Sequence, residues 1–246
     1  MVQISAHQGG GEEVEPSTYE AYRDALSTGA EYVEFDIRKT ADNVLVVYHD
    51  IHAEGTGALV ADLEYRELCD KLNYEVPRMD KVMAMVAGQM IGHLDLKEIG
   101  YEDEVITLAQ SILGAGNFVA TTLEDVSVAA IKRAFPDVRT ALSLGRDLGG
   151  YPPYQWASIR RSELFPIPRI RACGADWVAV NHRLGRLGVT NRCKRHGHGV
   201  MLWTVDSDEL IDRCLADGEI DVLVTNRPRH AAKRRAELTG RDKPAA

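Results

Sequence analysis

The sequence predicts an α/β protein, and within that class a (β/α)8 TIM barrel with a small insertion after the second strand. Three observations lead there. Short apolar, β-rich runs alternate with helical patterns from one end of the chain to the other, as a parallel sheet with crossover helices requires. The 246 residues suit eight strand–helix units closed into one barrel. No linker or change of composition divides them, so residues 1–246 read as a single domain.

Strands are expected at 2–6, 31–37, 44–48, 90–96, 118–122, 139–144, 176–180, 200–205 and 221–225. The run 44–48 follows the second strand after the short turn KTADN and reads as a hairpin partner or an extension at the barrel mouth. Between strands, PSTYEAYRDALSTG has Pro16 near its start, Gly29 as a stop and apolar residues three to four apart, which predicts a helix. YEDEVITLAQSILGAG, LEDVSVAAIKRAFP and DSDELIDRCLADG read the same way. Two stretches break the repeat. Residues 51–80 contain a small insertion, IHAEGTGALVADLEYREL. Residues 149–169, with four prolines, two tyrosines and a tryptophan, read as a loop that packs on the surface or covers a site.

Composition narrows the function. No apolar run approaches the ~18 residues of a membrane span, and the N-terminus opens as a strand rather than a signal peptide. Cys69, Cys173, Cys193 and Cys214 form no CxxC pair; this argues against a zinc site or disulfide framework and suits a cytoplasmic protein. A formal charge of −8 disfavours nucleic-acid binding. Residues 227–246 hold seven Lys/Arg against two acids. They read as a solvated last helix with a loose tail over 240–246, or as a weak contact for an anionic membrane surface.

In such a barrel the active site lies at the C-terminal ends of the strands. His7 follows the first strand, Glu34 and Asp36 close the second, His49 follows the run 44–48, and Asp95 and Lys97 end the next. Alternation puts Glu34 and Asp36 on one face, and His93, Asp95 and Lys97 on another. Three carboxylates on one rim are costly without positive charge among them. Oxygen ligands without thiolates suit a hard divalent cation, Mg2+ or Ca2+. Two histidines can exchange protons near neutral pH, and Lys97 is a natural anion contact. Together these parts suit metal-assisted cleavage of a phosphate ester. Pairing with rim arginines is the other reading of Glu34 and Asp36; His93 and His52 read as structural, and Asp50 as a turn cap or a partner for His49.

With these residues assembled, the chain resembles the glycerophosphodiester phosphodiesterase family. ISAHQGG followed by EPSTYEAYRDAL is similar to the family's His-Arg-Gly and Pro-Glu-Asn-Thr opening. VEFDIRKTADNVLVVYHD matches its Glu-x-Asp block and the strand into His-Asp, and HLDLK resembles Glu-x-Lys with Asp95 in place of Glu. VMLWTVDSDEL and DVLVTNRP resemble its Trp-Thr-Val-Asn and Thr-Asp-x-Pro segments. The resemblance implies that Glu34, Asp36 and Asp95 hold the metal. It makes His7 and His49 the catalytic pair, lets Lys97 contact phosphate, and lines the pocket with Trp203. The departures concern the substrate: Gln8 stands where the family has a phosphate-binding Arg, Arg38 is the candidate to replace it, and Asn226 stands where the family has Asp. The expected reaction is hydrolysis of a glycerophosphodiester or related phosphoester to an alcohol and a phosphomonoester. The alternatives are a lyase forming a cyclic phosphate, as in phospholipase D-like toxins, action on a diphosphate or other phosphorylated metabolite, and a non-catalytic phosphate-binding barrel.

Overall fold

A computed structural model describes residues 1–241. Eight parallel strands close on one another: β1 (Gln3–Ala6), β2 (Tyr32–Lys39), β4 (Ile91–Leu96), β5 (Phe118–Thr122), β6 (Arg139–Leu144), β7 (Trp177–Asn181), β8 (Gly199–Trp203) and β9 (Val222–Thr225), with β1 pairing to both β9 and β2. β3 (Leu45–Val47) is the extra strand and runs antiparallel to β2. Its place follows from unequal lengths. β1 ends opposite Val33, whereas β2 continues six residues further, and β3 occupies the edge at Ile37–Lys39 that β1 leaves open.

The helices are α1 (Tyr19–Ala25), α2 (Tyr65–Leu72), α3 (Met79–Val86), α4 (Glu102–Leu113), α5 (Asp125–Ala134), α6 (Pro153–Leu164), α7 (Ile167–Cys173), α8 (His182–Gly185), α9 (Val189–Arg195), α10 (Asp208–Ala216) and α11 (Pro228–Arg241). Outward strand residues such as Val33, Phe35 and Leu94 form one core with α3 and α4; Leu142, Val178 and Val200 form a second with α7, α9 and α10. Inside the barrel, the half built by β6 to β9 is apolar, with Ala141, Ala179, Met201 and Val224. The half built by β1, β2, β4 and β5 buries Ser5, Glu34, Asp36, His93 and Thr121. That asymmetry positions the site.

Three local features differ from the sequence reading. Helix α1 starts three residues after Pro16, because Ser17 adopts a left-handed φ of 58° and Thr18 is the N-cap, its hydroxyl accepting from Ala21 N–H. Residues 149–169 are largely helical rather than a loop: Pro152 and Pro153 open α6, and Pro166 and Pro168 open α7. Proline is tolerated in a first turn, where its missing N–H costs no hydrogen bond. The last helix includes Gly240 and Arg241; the rest of the expected tail, 242–246, lies outside the described residues.

Much of the basic charge on α11 is compensated within the chain. Arg229 pairs with Asp24 and Glu13, Arg234 with Asp212 and Glu237, and Arg235 with Glu31. This weakens the membrane-surface reading of that segment. Among the described residues no helix is long and apolar enough to cross a membrane.

The insertion works as a buttress. Ala53, Val60, Leu63, Leu68 and Val76 pack with Val46 and Tyr48 in a small core of their own against β3. Outward anchoring of β2 is what carries its carboxylates inward. Phe35, fully buried between Glu34 and Asp36 and 5.6 Å from the Tyr22 ring, is the largest such anchor on that strand. Phe35→Ala is expected to cost about 3–5 kcal/mol, measured by urea unfolding, with a matching loss of activity as β2 loosens.

Candidate active site

The site begins with two facing strands. Asp36 of β2 lies directly across the ladder from Asp95 of β4, and Glu34 is one inward position earlier. One oxygen from each of the three lies within 4.8 Å of the others. Asp36 is fully buried and Glu34 is 4% exposed. Like charges facing each other across strands repel, and burial raises the cost. Lys97 answers part of it, with Nζ 2.7 Å from Asp36 Oδ1 and 2.6 Å from Asp95 Oδ2. Burial alone would raise the Asp36 carboxyl, but Lys97 and then His49 and His7 hold it below the usual carboxylate range. Burial disfavours the Lys97 ammonium too, and Asp36, Asp95 and Glu34 outweigh it, raising Lys97 above its ordinary value.

One ammonium does not balance three carboxylates. Burial first, and Asp36 next, push Glu34 well above its ordinary value. The Asp36 Oδ1 contact with Lys97 is ionic, off the direction of a hydrogen bond, so this buried oxygen retains a free lone pair. An all-oxygen donor set with uncompensated negative charge fits a hard divalent cation. Glu34, Asp36 and Asp95 are the residues able to hold it.

Asp95 is further oriented by a chain of hydrogen bonds. Thr121 Oγ1 donates to Asp95 Oδ1 (2.6 Å), so it accepts from His93 Nε2 at 3.1 Å, and His93 Nδ1 in turn accepts from Ser5 at 3.1 Å. Burial lowers His93 to about 4, against a smaller opposing pull from Asp95. It is a neutral structural histidine.

After β1 the chain turns through His7–Gly9. Gly9 is required there: its φ is 84°, and a Cβ would meet α1 at Ala21, 3.0 Å away. Gln8 stands in the left-handed region with φ 54°. Its backbone N–H donates to Glu34 Oε2 and its Nε2 to Asp36 Oδ2, each at 2.7 Å. The Gln8 amide is thus turned toward the carboxylates.

The tautomer of His7 follows from its neighbours. Asp206 accepts hydrogen bonds from Asn226 N–H (2.9 Å) and Asn226 Nδ2 (2.8 Å). That leaves Asn226 Oδ1 facing His7 Nδ1 at 2.7 Å. A carbonyl oxygen only accepts, so His7 carries its proton on Nδ1. Its Nε2, 3.9 Å from Glu34 Oε2, keeps a lone pair.

His49 is delivered from the opposite edge by β3. Arg38 Nε and Nη2 donate to the His49 carbonyl at 3.1 and 2.9 Å, and Nη1 to Glu98 at 2.7 Å. In this arrangement Arg38, the candidate replacement for the missing phosphate arginine, holds the His49 backbone in place. The His49 ring is 55% exposed and contacts Asp50 Oδ1 through Nδ1 at 2.7 Å.

Glu34, Asp95, Lys97, His7, His49 and Arg38 line one cavity of about 470 Å3 at the barrel mouth, with His93 and Thr121 beneath them, whereas Gln8 and the fully buried Asp36 do not line it. Its far wall comprises Leu123, Ser143, Asp147 and Trp203, whose Nε1 is buried without a partner. Gly145 makes that wall possible, since with φ 123° a Cβ there would fall 2.3 Å from Asn181 Cβ and 3.3 Å from the Trp203 ring.

A barrel mouth with an oxygen-only cation cluster, a lysine and two imidazoles defines a hydrolase of the metal-assisted phosphoester class. Comparison with known proteins gives the family. Residues 7–230 match the glycerophosphoryl diester phosphodiesterase family, and the chain belongs to it. A glycerophosphodiester phosphodiesterase of Caldanaerobacter subterraneus subsp. tengcongensis is 24% identical over 92% of this chain and 94% of its own. A solved structure from Agrobacterium tumefaciens str. C58 superposes with a TM-score of 0.83 at 17% identity, covering 98% of this chain and 99% of that one. A phosphodiesterase from Oleispira antarctica, solved with the product sn-glycerol-3-phosphate, gives a TM-score of 0.73 at 16% identity over 94% of this chain and 96% of its own.

Sequence reasoning missed the orienting groups Ser5, Thr121, Asp206 and Asn226. A signal was present for the last two. The family pattern has Asn after Trp-Thr-Val and Asp before x-Pro, whereas here the order is Asp206 and Asn226. The two touch, so amide and carboxylate have changed places within one contact. Asn226→Asp alone would set two carboxylates against each other and is expected to lower kcat about tenfold. Asp206→Asn together with Asn226→Asp restores a donor–acceptor pair and should return kcat to within about threefold of wild type, read by steady-state kinetics on all three variants.

Proposed function

We propose that this chain hydrolyses a glycerophosphodiester to an alcohol and a phosphomonoester, with Glu34, Asp36 and Asp95 holding Mg2+ or Ca2+ and His7 and His49 moving the protons. One observation carries the reading: both imidazoles open on the cavity that the carboxylate cluster borders. The bound cation would supply Lewis-acid neutralisation of charge on the phosphoryl oxygens.

The chain's own groups do the rest. Lys97 is held by its ionic contacts with Asp36 and Asp95, and its ammonium keeps an N–H to donate to a non-bridging phosphoryl oxygen. Gln8 supplies no charge to that oxygen; it steadies Glu34 and Asp36 instead. His7, whose Nδ1 proton is held by Asn226, offers the Nε2 lone pair to an attacking water, or to phosphorus to form a phosphoryl–histidine bond that water then cleaves. The P–O bond to the alcohol breaks as His49 gives its proton to the departing oxygen, with Asp50 supporting the imidazolium. Arg38 keeps His49 at the mouth, and Trp203 forms the flat wall opposite the cluster. The four cysteines are unpaired, as a reducing, cytoplasmic setting favours.

His7→Ala and His49→Ala are each expected to lower kcat on sn-glycero-3-phosphocholine at least about a hundredfold, and EDTA to abolish turnover until Mg2+ or Ca2+ is restored. Phosphorus NMR of the products reads the outcome directly. A phosphomonoester is the expected signal; a cyclic diester would establish the lyase reaction, and turnover surviving both substitutions would remove the histidines from the mechanism.

A further inference from the structure

A second cleft, of about 530 Å3, lies on the other side of His49. His49 borders both cavities, and Gln8, which is hydrogen-bonded to Glu34 and Asp36, lines the second. A diester centred on the cluster has two arms, and His49 stands between the spaces open to them. His49 can thus reach the oxygen of an arm that enters the second cleft.

The chemistry of this cleft differs from that of the mouth. Its walls carry Glu15, Asp50 and Glu54 with Tyr48 and Tyr74, and they include no Lys or Arg. Glu15 and Glu54 make no salt bridge among the described residues, and both are close enough to Tyr74 to raise its hydroxyl, which burial above all pushes up to about 12. Tyr74 is 40% exposed, an aromatic surface left open at the cleft. Tyr48 is buried, its hydroxyl accepting from Glu54 N–H at 3.0 Å, which fixes the Glu54 backbone beside the ring. Aromatic faces together with unpaired carboxylates attract an ammonium or quaternary ammonium group. They repel an anionic one.

Resting on the hydrolase reading above, we propose that the second cleft receives the leaving alcohol and selects glycerophosphodiesters whose alcohol carries a cationic nitrogen. The first cavity, with Ser143, Asp147 and Trp203 on its far wall, then receives the glycerol arm. The cation enters with the substrate and leaves with the alcohol, so its attraction to Glu15, Glu54 and Tyr74 acts on kcat/KM through the bound diester.

The test compares kcat/KM for sn-glycero-3-phosphocholine with that for glycerophosphoglycerol, whose alcohol is neutral, in wild type, Tyr74→Ala and the double variant Glu15→Gln/Glu54→Gln. Wild type is expected to favour the choline diester about tenfold, and each variant to bring the ratio toward one. A wild-type ratio near one, or a preference that survives both variants, overturns the proposal. Saturation-transfer NMR with choline chloride, and glycerol as the neutral control, separates this inference from the hydrolase reading. Should neither diester be turned over, the reaction assignment fails while choline binding that is lost in Tyr74→Ala still supports the cleft. Absence of choline binding to wild type overturns the cleft whatever the turnover.

Discussion

The structure turns on an electrostatic conflict. Asp36 and Asp95 face each other across a parallel ladder, Glu34 is one step away, and water scarcely reaches the first and last of these. A barrel interior filled only for stability would place apolar side chains there, as β6 to β9 do with Ala141, Ala179, Met201 and Val224. Holding three carboxylates instead requires compensating charge, and the chain supplies a single ammonium, Lys97. The remaining imbalance is what the proposed divalent cation would remove. Stability and function meet at the same residues, and local charge conflict is tolerated because the outward faces of the same strands are anchored in a large apolar layer.

Around that cluster the chain arranges acceptors and donors in a fixed sense. Ser5, His93 and Thr121 donate in turn toward Asp95, whereas donation at the other histidine runs outward, from His7 to Asn226 and from Asn226 to Asp206. The two imidazoles of the mouth therefore sit in different settings. His7 is largely enclosed and held by an amide that sets its tautomer. His49 follows a short antiparallel strand outside the barrel ring, half exposed, gripped by its backbone through Arg38 and buttressed by the insertion packed behind β3. These settings match the roles proposed for them, a rigid base facing the phosphorus and a more open acid releasing the alcohol.

Much of this was legible in the sequence, for a physical reason. In EYVEFDIRK every outward position of the strand is apolar or stem-like and every inward one near its end is charged, so alternation alone places Glu34 and Asp36 on one face. The same logic groups His93, Asp95 and Lys97, and the strand-end rule of barrels brings them to one rim. What alternation does not carry is contact between distant segments. His7 and Asn226 are 219 residues apart, and Arg38 could be put near the mouth but not onto the His49 carbonyl. Residues 149–169 misled because four prolines suggest a loop, whereas each pair falls in a first helical turn. The start of α1 shifted for the opposite reason: Ser17 takes a backbone conformation that sequence does not flag in a non-glycine residue.

The account stands on Glu34, Asp36 and Asp95 together binding one divalent ion. Titration calorimetry of Mg2+ and Ca2+ into EDTA-stripped protein measures this without reference to any substrate. One site per chain is expected, weakened at least about tenfold by Asp95→Asn and by Glu34→Gln. Binding that is absent from the wild-type protein, or that is unchanged in both variants, would contradict it.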